Sequence, residues 1–190
     1  MRLILKRREY LPDPWRYLGE QVAEGDALIV PLAALRAERT RWWQWPGRLG
    51  ARLTSAEAVE DLSEELPRLD LVALEFPGPG DGRGYSAGRL LRERFEFRGE
   101  LRAVGNVLRD QLAFMRRCGF DSYEIPPQAD AAAWLSSLGG ISVVYQPATD
   151  GRASVLTLRH GTPEGQGRGD ARSLSRDPVA PTPSTRSRVG

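Results

Sequence analysis

Cysteine, histidine, lysine and long apolar runs are all scarce in this chain. Among 190 residues there is one cysteine, Cys118, one histidine, His160, and one lysine, Lys6. A single cysteine excludes an intrachain disulfide and a cysteine-ligated metal cluster, a usage that suits a reducing compartment. A single histidine, at the edge of the C-terminal stretch, sets aside both a histidine metal site and a Ser-His-acid triad, so no metal site is expected. No apolar run approaches the roughly 20 residues that cross a bilayer. The opening stretch Met1-Arg2-Leu3-Ile4-Leu5-Lys6-Arg7-Arg8 has too few apolar residues in a row for a signal sequence. A cytoplasmic address without a membrane partner is the expectation.

An excess of one charge is missing as well. The chain carries 27 basic and 25 acidic residues. From 161 to 190 five arginines face three acids, which leaves 22 of each sign in the body before it. A neutral body gives no electrostatic ground for nucleic-acid binding. In that last stretch Gly, Pro, Ser, Thr and Arg dominate and large apolar residues nearly vanish, so ordering it would cost entropy without burying a core. The expectation is one α/β domain over 1–160 and a disordered tail over 161–190.

What is present is an alternation of short apolar runs and helical spacings. Leu3-Ile4-Leu5 reads as a strand, followed by a turn at Pro12-Asp13-Pro14. Trp15, Leu18 and Val22 suit an apolar helix face or a lid. Residues 27–32 form a second strand, with a helix over 33–39. Trp42, Trp43 and Trp45 cannot share one face of any regular element, so at least one is expected to be partly exposed. After a strand at 51–53, Thr54 and Glu57 fit a capping box, with Val59, Leu62 and Leu66 at helical spacing. Strands follow at 71–74, 101–104, 122–125 and 141–145. Between them the pattern places helices from Ser86 to about Phe95, from a cap at Asn106 to Gly119, and over 130–138. Such alternation predicts a mainly parallel sheet covered by helices, as an open three-layer sheet or a partial barrel.

The chemistry gathers between Leu71 and Gly119. A buried strand delivers Glu75 at its C-terminal end and empties into Asp81-Gly82-Arg83-Gly84-Tyr85-Ser86. This loop lacks the spacing of a dinucleotide loop and the lysine of a phosphate loop. Its two glycines, Arg83 and a capping Ser86 suit an anion such as sulfite, sulfate or phosphate. The same residues also describe a plain strand-to-helix turn whose glycines supply positive φ angles. Tyr85 either donates a proton or packs over the loop. Glu75 and Arg102 sit near C-terminal strand ends, the rim where α/β proteins bind ligands, or form a structural ion pair. Asn106, Arg109 and Asp110 fall in the first turns after the next strand, aimed at a pocket or at solvent. The candidate ligand-binding set is therefore Glu75, Asp81, Gly82, Arg83, Gly84, Tyr85, Ser86, Arg102, Asn106, Arg109 and Asp110, with no catalytic residue assigned. Cys118 reads as a small core residue on an apolar helix face.

Several of these stretches carry a resemblance. They are Ala73-Leu74-Glu75-Phe76-Pro77, Asp81-Gly82-Arg83-Gly84-Tyr85-Ser86, Arg89-Leu90-Leu91-Arg92, Gly99-Glu100-Leu101-Arg102-Ala103 and Val107-Leu108-Arg109-Asp110-Gln111-Leu112, leading to Arg117-Cys118-Gly119-Phe120-Asp121. With them the chain resembles the bacterial DUF934 family. Weaker matches at Asp13-Pro14-Trp15 and Ile29-Val30-Pro31-Leu32 extend the likeness forward. The resemblance implies the label such proteins carry, a probable oxidoreductase of sulfite reduction, a label that looks like an inference from gene neighbours. It implies no cofactor residue by residue. Asn106 stands where the family usually has Asp, and Pro77-Gly78-Pro79-Gly80 replaces a loop of more aromatic character.

Three functions follow as expectations. One is an accessory protein of assimilatory sulfite reduction that docks to sulfite reductase or another sulfur-assimilation enzyme, or holds an anion. Another is a metal-independent enzyme acting on an anionic small molecule. The last is a structural scaffold whose polar loop residues are internal ties.

Overall fold

A computed structural model of the chain describes residues 2–138 apart from 8, 79 and 127. The strand expected at 141–145, the tail over 161–190 and His160 lie outside the described residues. Eight strands form one sheet: β1 (Leu3–Lys6), β2 (Glu9–Pro12), β3 (Trp15–Tyr17), β4 (Ala27–Pro31), β5 (Leu49–Leu53), β6 (Leu71–Phe76), β7 (Glu100–Gly105) and β8 (Ser122–Glu124). Their order across the sheet is β2-β1-β8-β7-β6-β5-β4-β3.

From β3 to β8 each strand lies beside its successor in sequence, and all five pairings are parallel. The sheet as a whole is nevertheless mixed, which corrects the mainly parallel sheet expected from the alternation. β1 runs antiparallel to β8 and pairs antiparallel with β2. Only two residues separate β1 from β2, a link that permits only an antiparallel partner, and the resulting ribbon covers the outer edge of β8.

The two edges of this sheet, β2 and β3, are separated in the chain by Asp13 and Pro14 alone. In a flat eight-stranded sheet they would stand about 34 Å apart, at roughly 4.8 Å per strand. The link spans at most about 11 Å. The sheet therefore curls into a half-barrel, with residues 9–17 as a seam whose first half pairs with β1 and whose second half pairs with β4.

Period-2 alternation divides the side chains between the two faces of the curl. Outward, Leu28, Val30, Leu49, Leu53, Val72, Leu74, Phe76, Leu101 and Tyr123 form the main core. The helices α1 (Leu32–Ala37), α2 (Arg39–Trp43), α3 (Arg83–Glu93), α4 (Leu112–Arg117) and α5 (Ala131–Ser137) supply Leu35, Trp42, Leu91, Leu112, Met115 and Trp134 to it. Inward, Trp15, Ile29, Leu71, Ala73 and Val104 form a smaller core. β6 is apolar on both faces except at Glu75, as a strand inside a parallel run should be.

Four local expectations change. Trp15 lies in a strand rather than on a helix or lid, because Trp15 and Tyr17 alternate inward around exposed Arg16. The Thr54–Glu57 hydrogen bonds form, with the Thr54 N–H and hydroxyl both donating to Glu57. They lead, however, into 3-10 turns at Val59–Leu62 and Leu66–Arg68 rather than an α-helix. Buried Val59 and Leu62 three residues apart match the three-residue period of that turn. Helix α3 opens at Arg83, with Asp81 Oδ1 accepting the Arg83 N–H at 3.1 Å. Ser86 thus lies inside the helix and caps nothing. Asn106 does not cap either: its N–H donates to the Phe76 carbonyl at 2.7 Å, and α4 begins only at Leu112, after a 3-10 turn at Arg109–Gln111. Of the tryptophans, Trp42 is buried and donates to the Ala34 carbonyl, Trp45 donates to the Asp26 carbonyl, and Trp43 is exposed under Arg39.

Candidate functional site

Two groups of polar side chains on the curl take up some of the residues singled out in the sequence. The first is interior. β7 turns Glu100, Arg102 and Val104 inward, so Arg102 sits in the middle of the inner face, with its side chain entirely out of water. Its Nη1 donates to both Asp13 oxygens at 2.9 and 3.0 Å. Its Nε and Nη2 donate to Glu100 Oε1 at 3.2 and 2.9 Å. Ser122 donates to the same Glu100 oxygen at 2.6 Å, and Lys6 pairs with the other. Burial alone would raise the Glu100 carboxyl; Arg102, Lys6 and Ser122 outweigh it and hold the group below its ordinary value. Arg102 is therefore a tie across the curl and not a rim residue beside Glu75.

The second group is at the rim, where β5 and β6 end and α3 begins. Thr54, Ser55, Glu57, Glu75, Arg83 and Gly84 line a cleft there. Its volume of about 40 Å³ takes a few water-sized groups, at roughly 10–15 Å³ each. That is too small for a nucleotide or a flavin. Arg83 is exposed. It donates through Nε and Nη2 to Asp81 at 2.9 and 2.6 Å and through Nη2 to Ser55 Oγ at 3.1 Å. These bonds from Arg83, with the backbone bond, hold the Asp81 carboxyl far below the usual range. Nη1 of Arg83 makes no bond among the described residues. Glu75 leans away from Arg83 to Arg52, 3.0 Å distant on the inner face.

The remaining candidates scatter. Gly82 and Gly84 do not supply positive φ angles. Gly84 is required for space, since a Cβ there would come within 2.6 Å of the Phe76 ring. Tyr85 packs its ring between Phe76 at 5.1 Å and Phe114 at 4.9 Å, and burial raises its phenol. Ser86 faces outward beside Arg89 and Leu90, away from the cleft. Asn106, Arg109 and Asp110 are exposed and absent from its lining. Cys118 is buried, and burial pushes its thiol up.

Sequence reasoning passed over Asp13, Tyr17, Arg52, Glu100, Ser122 and Glu124, all of them on the inner face or pointing into it. One signal was available. Alternation in Glu100-Leu101-Arg102-Ala103-Val104 puts two charges on one face of a strand, and such charges inside a fold need partners.

These features define an α/β protein with a curled, mixed eight-stranded sheet, an ion-paired interior and a small polar cleft at the rim where β5 and β6 end. A family model described as "Bacterial protein of unknown function (DUF934)" matches residues 50–156, and the chain belongs to that family. No curated protein matches it. No helix among the described residues is long and apolar enough to cross a membrane.

Proposed function

We propose that this protein is a cytoplasmic accessory of assimilatory sulfite reduction, which works beside sulfite reductase or another enzyme of sulfur assimilation and holds a small sulfur oxyanion at its rim. The observation that carries the reading is Arg83. Its exposed guanidinium borders a cleft of about 40 Å³ with Ser55 alongside and with Nη1 unbonded among the described residues; the Thr54 hydroxyl is taken by Glu57, and Glu57 and Glu75 also line the cleft. A free guanidinium edge is suited to sulfite or sulfate. Asp81, held on the other edge, keeps the side chain in place and weakens binding of any anion, so affinity is modest. The sulfite connection itself comes from the label that family resemblance brings.

Two experiments test the reading. A deletion strain should grow poorly on sulfate as sole sulfur source and normally on cysteine; normal growth on both removes the sulfite role. Sulfite should raise the melting temperature of the purified chain, and Arg83→Ala should abolish that rise. A shift of equal size in the variant rules out the cleft as the binding place.

A further inference from the structure

The rim cleft is lined by both signs of charge, and they do not neutralise each other across it. Arg83 and Glu57 both line it, yet Arg83 pairs with Asp81, outside that lining, and makes no ion pair with Glu57. Glu57 accepts the Thr54 N–H and hydroxyl at 2.7 and 2.8 Å, both on Oε2, and its Oε1 has no partner among the described residues. Glu75, the other carboxylate in the lining, is taken by Arg52 at 3.0 Å. Ser55 is committed to Arg83 and Asp81. The charged residues around the cleft therefore keep one free donor edge, Nη1 of Arg83, and one free acceptor, Oε1 of Glu57. Helix α3 begins at Arg83, so its first-turn N–H groups, that of Gly84 among them, add positive potential on the donor side.

A free acceptor and a free donor on one small cleft set a condition on its occupant. An anion whose oxygens only accept satisfies Arg83 and leaves its remaining oxygens against the Glu57 carboxylate with no proton between them. An oxyanion that keeps a proton meets both groups: its charged oxygens accept from Arg83, and its O–H donates to Glu57. At neutral pH sulfate has no proton to give. Sulfite and phosphate each retain one on a large share of their ions.

We propose that the cleft selects small oxyanions that carry a proton, hydrogensulfite or hydrogenphosphate, against sulfate, and that Glu57 is the selecting residue. The inference rests on the oxyanion reading above and narrows it, from sulfite or sulfate to the member that can donate a hydrogen bond. A site built to receive a ligand proton rejects the analogue that lacks it, because the receiving group is left facing another acceptor. Arg83 and Thr54 are exposed, so water softens the penalty, and discrimination falls far short of that in a sealed site.

The test is a calorimetric titration of the full chain with sulfite, phosphate and sulfate, each at neutral pH and matched ionic strength. Sulfite and phosphate should each bind about tenfold or more tighter than sulfate. Glu57→Gln keeps an oxygen for the Thr54 bonds and places an amide donor where the free acceptor was, so sulfate should gain about tenfold and the preference should disappear. Equal binding of all three by the parent would overturn the selection, and the oxyanion reading would stand if Arg83→Ala then abolished that binding. An undiminished preference in a Glu57→Gln chain that melts like the parent would overturn the role of Glu57. If that variant melts early, the preference of the parent still decides. No binding of any of the three would overturn the oxyanion reading and the selection together. Phosphate bound more tightly than sulfite would support the selection while removing sulfur from the function proposed above.

Discussion

Asp13 and Arg102 lie 89 residues apart in the chain, and one guanidinium nitrogen reaches both carboxylate oxygens at 2.9 and 3.0 Å, with neither side chain more than 1% exposed. Asp13 sits at the seam where the sheet's two edges meet, and Arg102 in the strand opposite. The pair fastens the curl from within, and Asp13 fixes the seam further by accepting the Trp15 N–H at 3.2 Å.

Removing Arg102 leaves two carboxylates in a place without water, Asp13 with only Arg2 and the Trp15 N–H and Glu100 with only Lys6 and Ser122. Arg102→Met should lower the unfolding free energy by about 3–5 kcal/mol, read as a fall in urea midpoint with little change in slope. A midpoint near that of the parent would mean the interior ties do not hold the curl together.

Acid should loosen the same network through Glu100. Its folded carboxyl lies below the ordinary 4.5, so the unfolded chain takes up that proton more readily. The contribution is present in full above pH 4.5 and is lost as pH falls through the folded value. In thermal melts the stability gap between the parent and Glu100→Gln should therefore narrow on acidification below that point. A gap that widened would reverse the assignment.

Gly84 is required for close contact rather than for an unusual backbone angle. Gly84→Ala puts a methyl group 2.6 Å from the Phe76 ring and should cost about 1–3 kcal/mol by overpacking. Combined with Phe76→Leu, the cost should fall below the sum of the two single changes in a double-mutant cycle; strict additivity would show that the two do not touch.

Cys118 should behave as core. Buried at the C-terminal end of α4 with its thiol raised by burial, it should react slowly with a disulfide reagent in the native protein and rapidly in urea. Fast native labelling would contradict its burial.

Much of the architecture is legible locally. The apolar runs at β6 and β7, the Thr54–Glu57 hydrogen bonds and the Asp130 cap of α5, which accepts the Ala132 and Ala133 N–H groups, are each read within a few residues. Ser86 misled because it looks like a cap, while the helix already opens at Arg83, whose N–H Asp81 accepts. Trp15 misled because Trp15, Leu18 and Val22 also fit a helical stripe, and only pairing with β4 makes a strand of it.

Of the residues grouped as one site, Glu75 and Arg83 share the cleft, while Arg102 lies inside the curl and Arg109 in the solvent. By itself the sequence determined the strands from β4 to β8 and most of the helices between them, because hydrophobic period and turn chemistry act over a handful of residues. Only the tertiary structure decided that β1 returns antiparallel beside β8, that Arg102 finds Asp13 and that Tyr17 finds Glu124, 107 residues away. Those contacts exist because the sheet curls far enough for its two edge strands to be joined by Asp13 and Pro14, a curl that no short window of residues specifies.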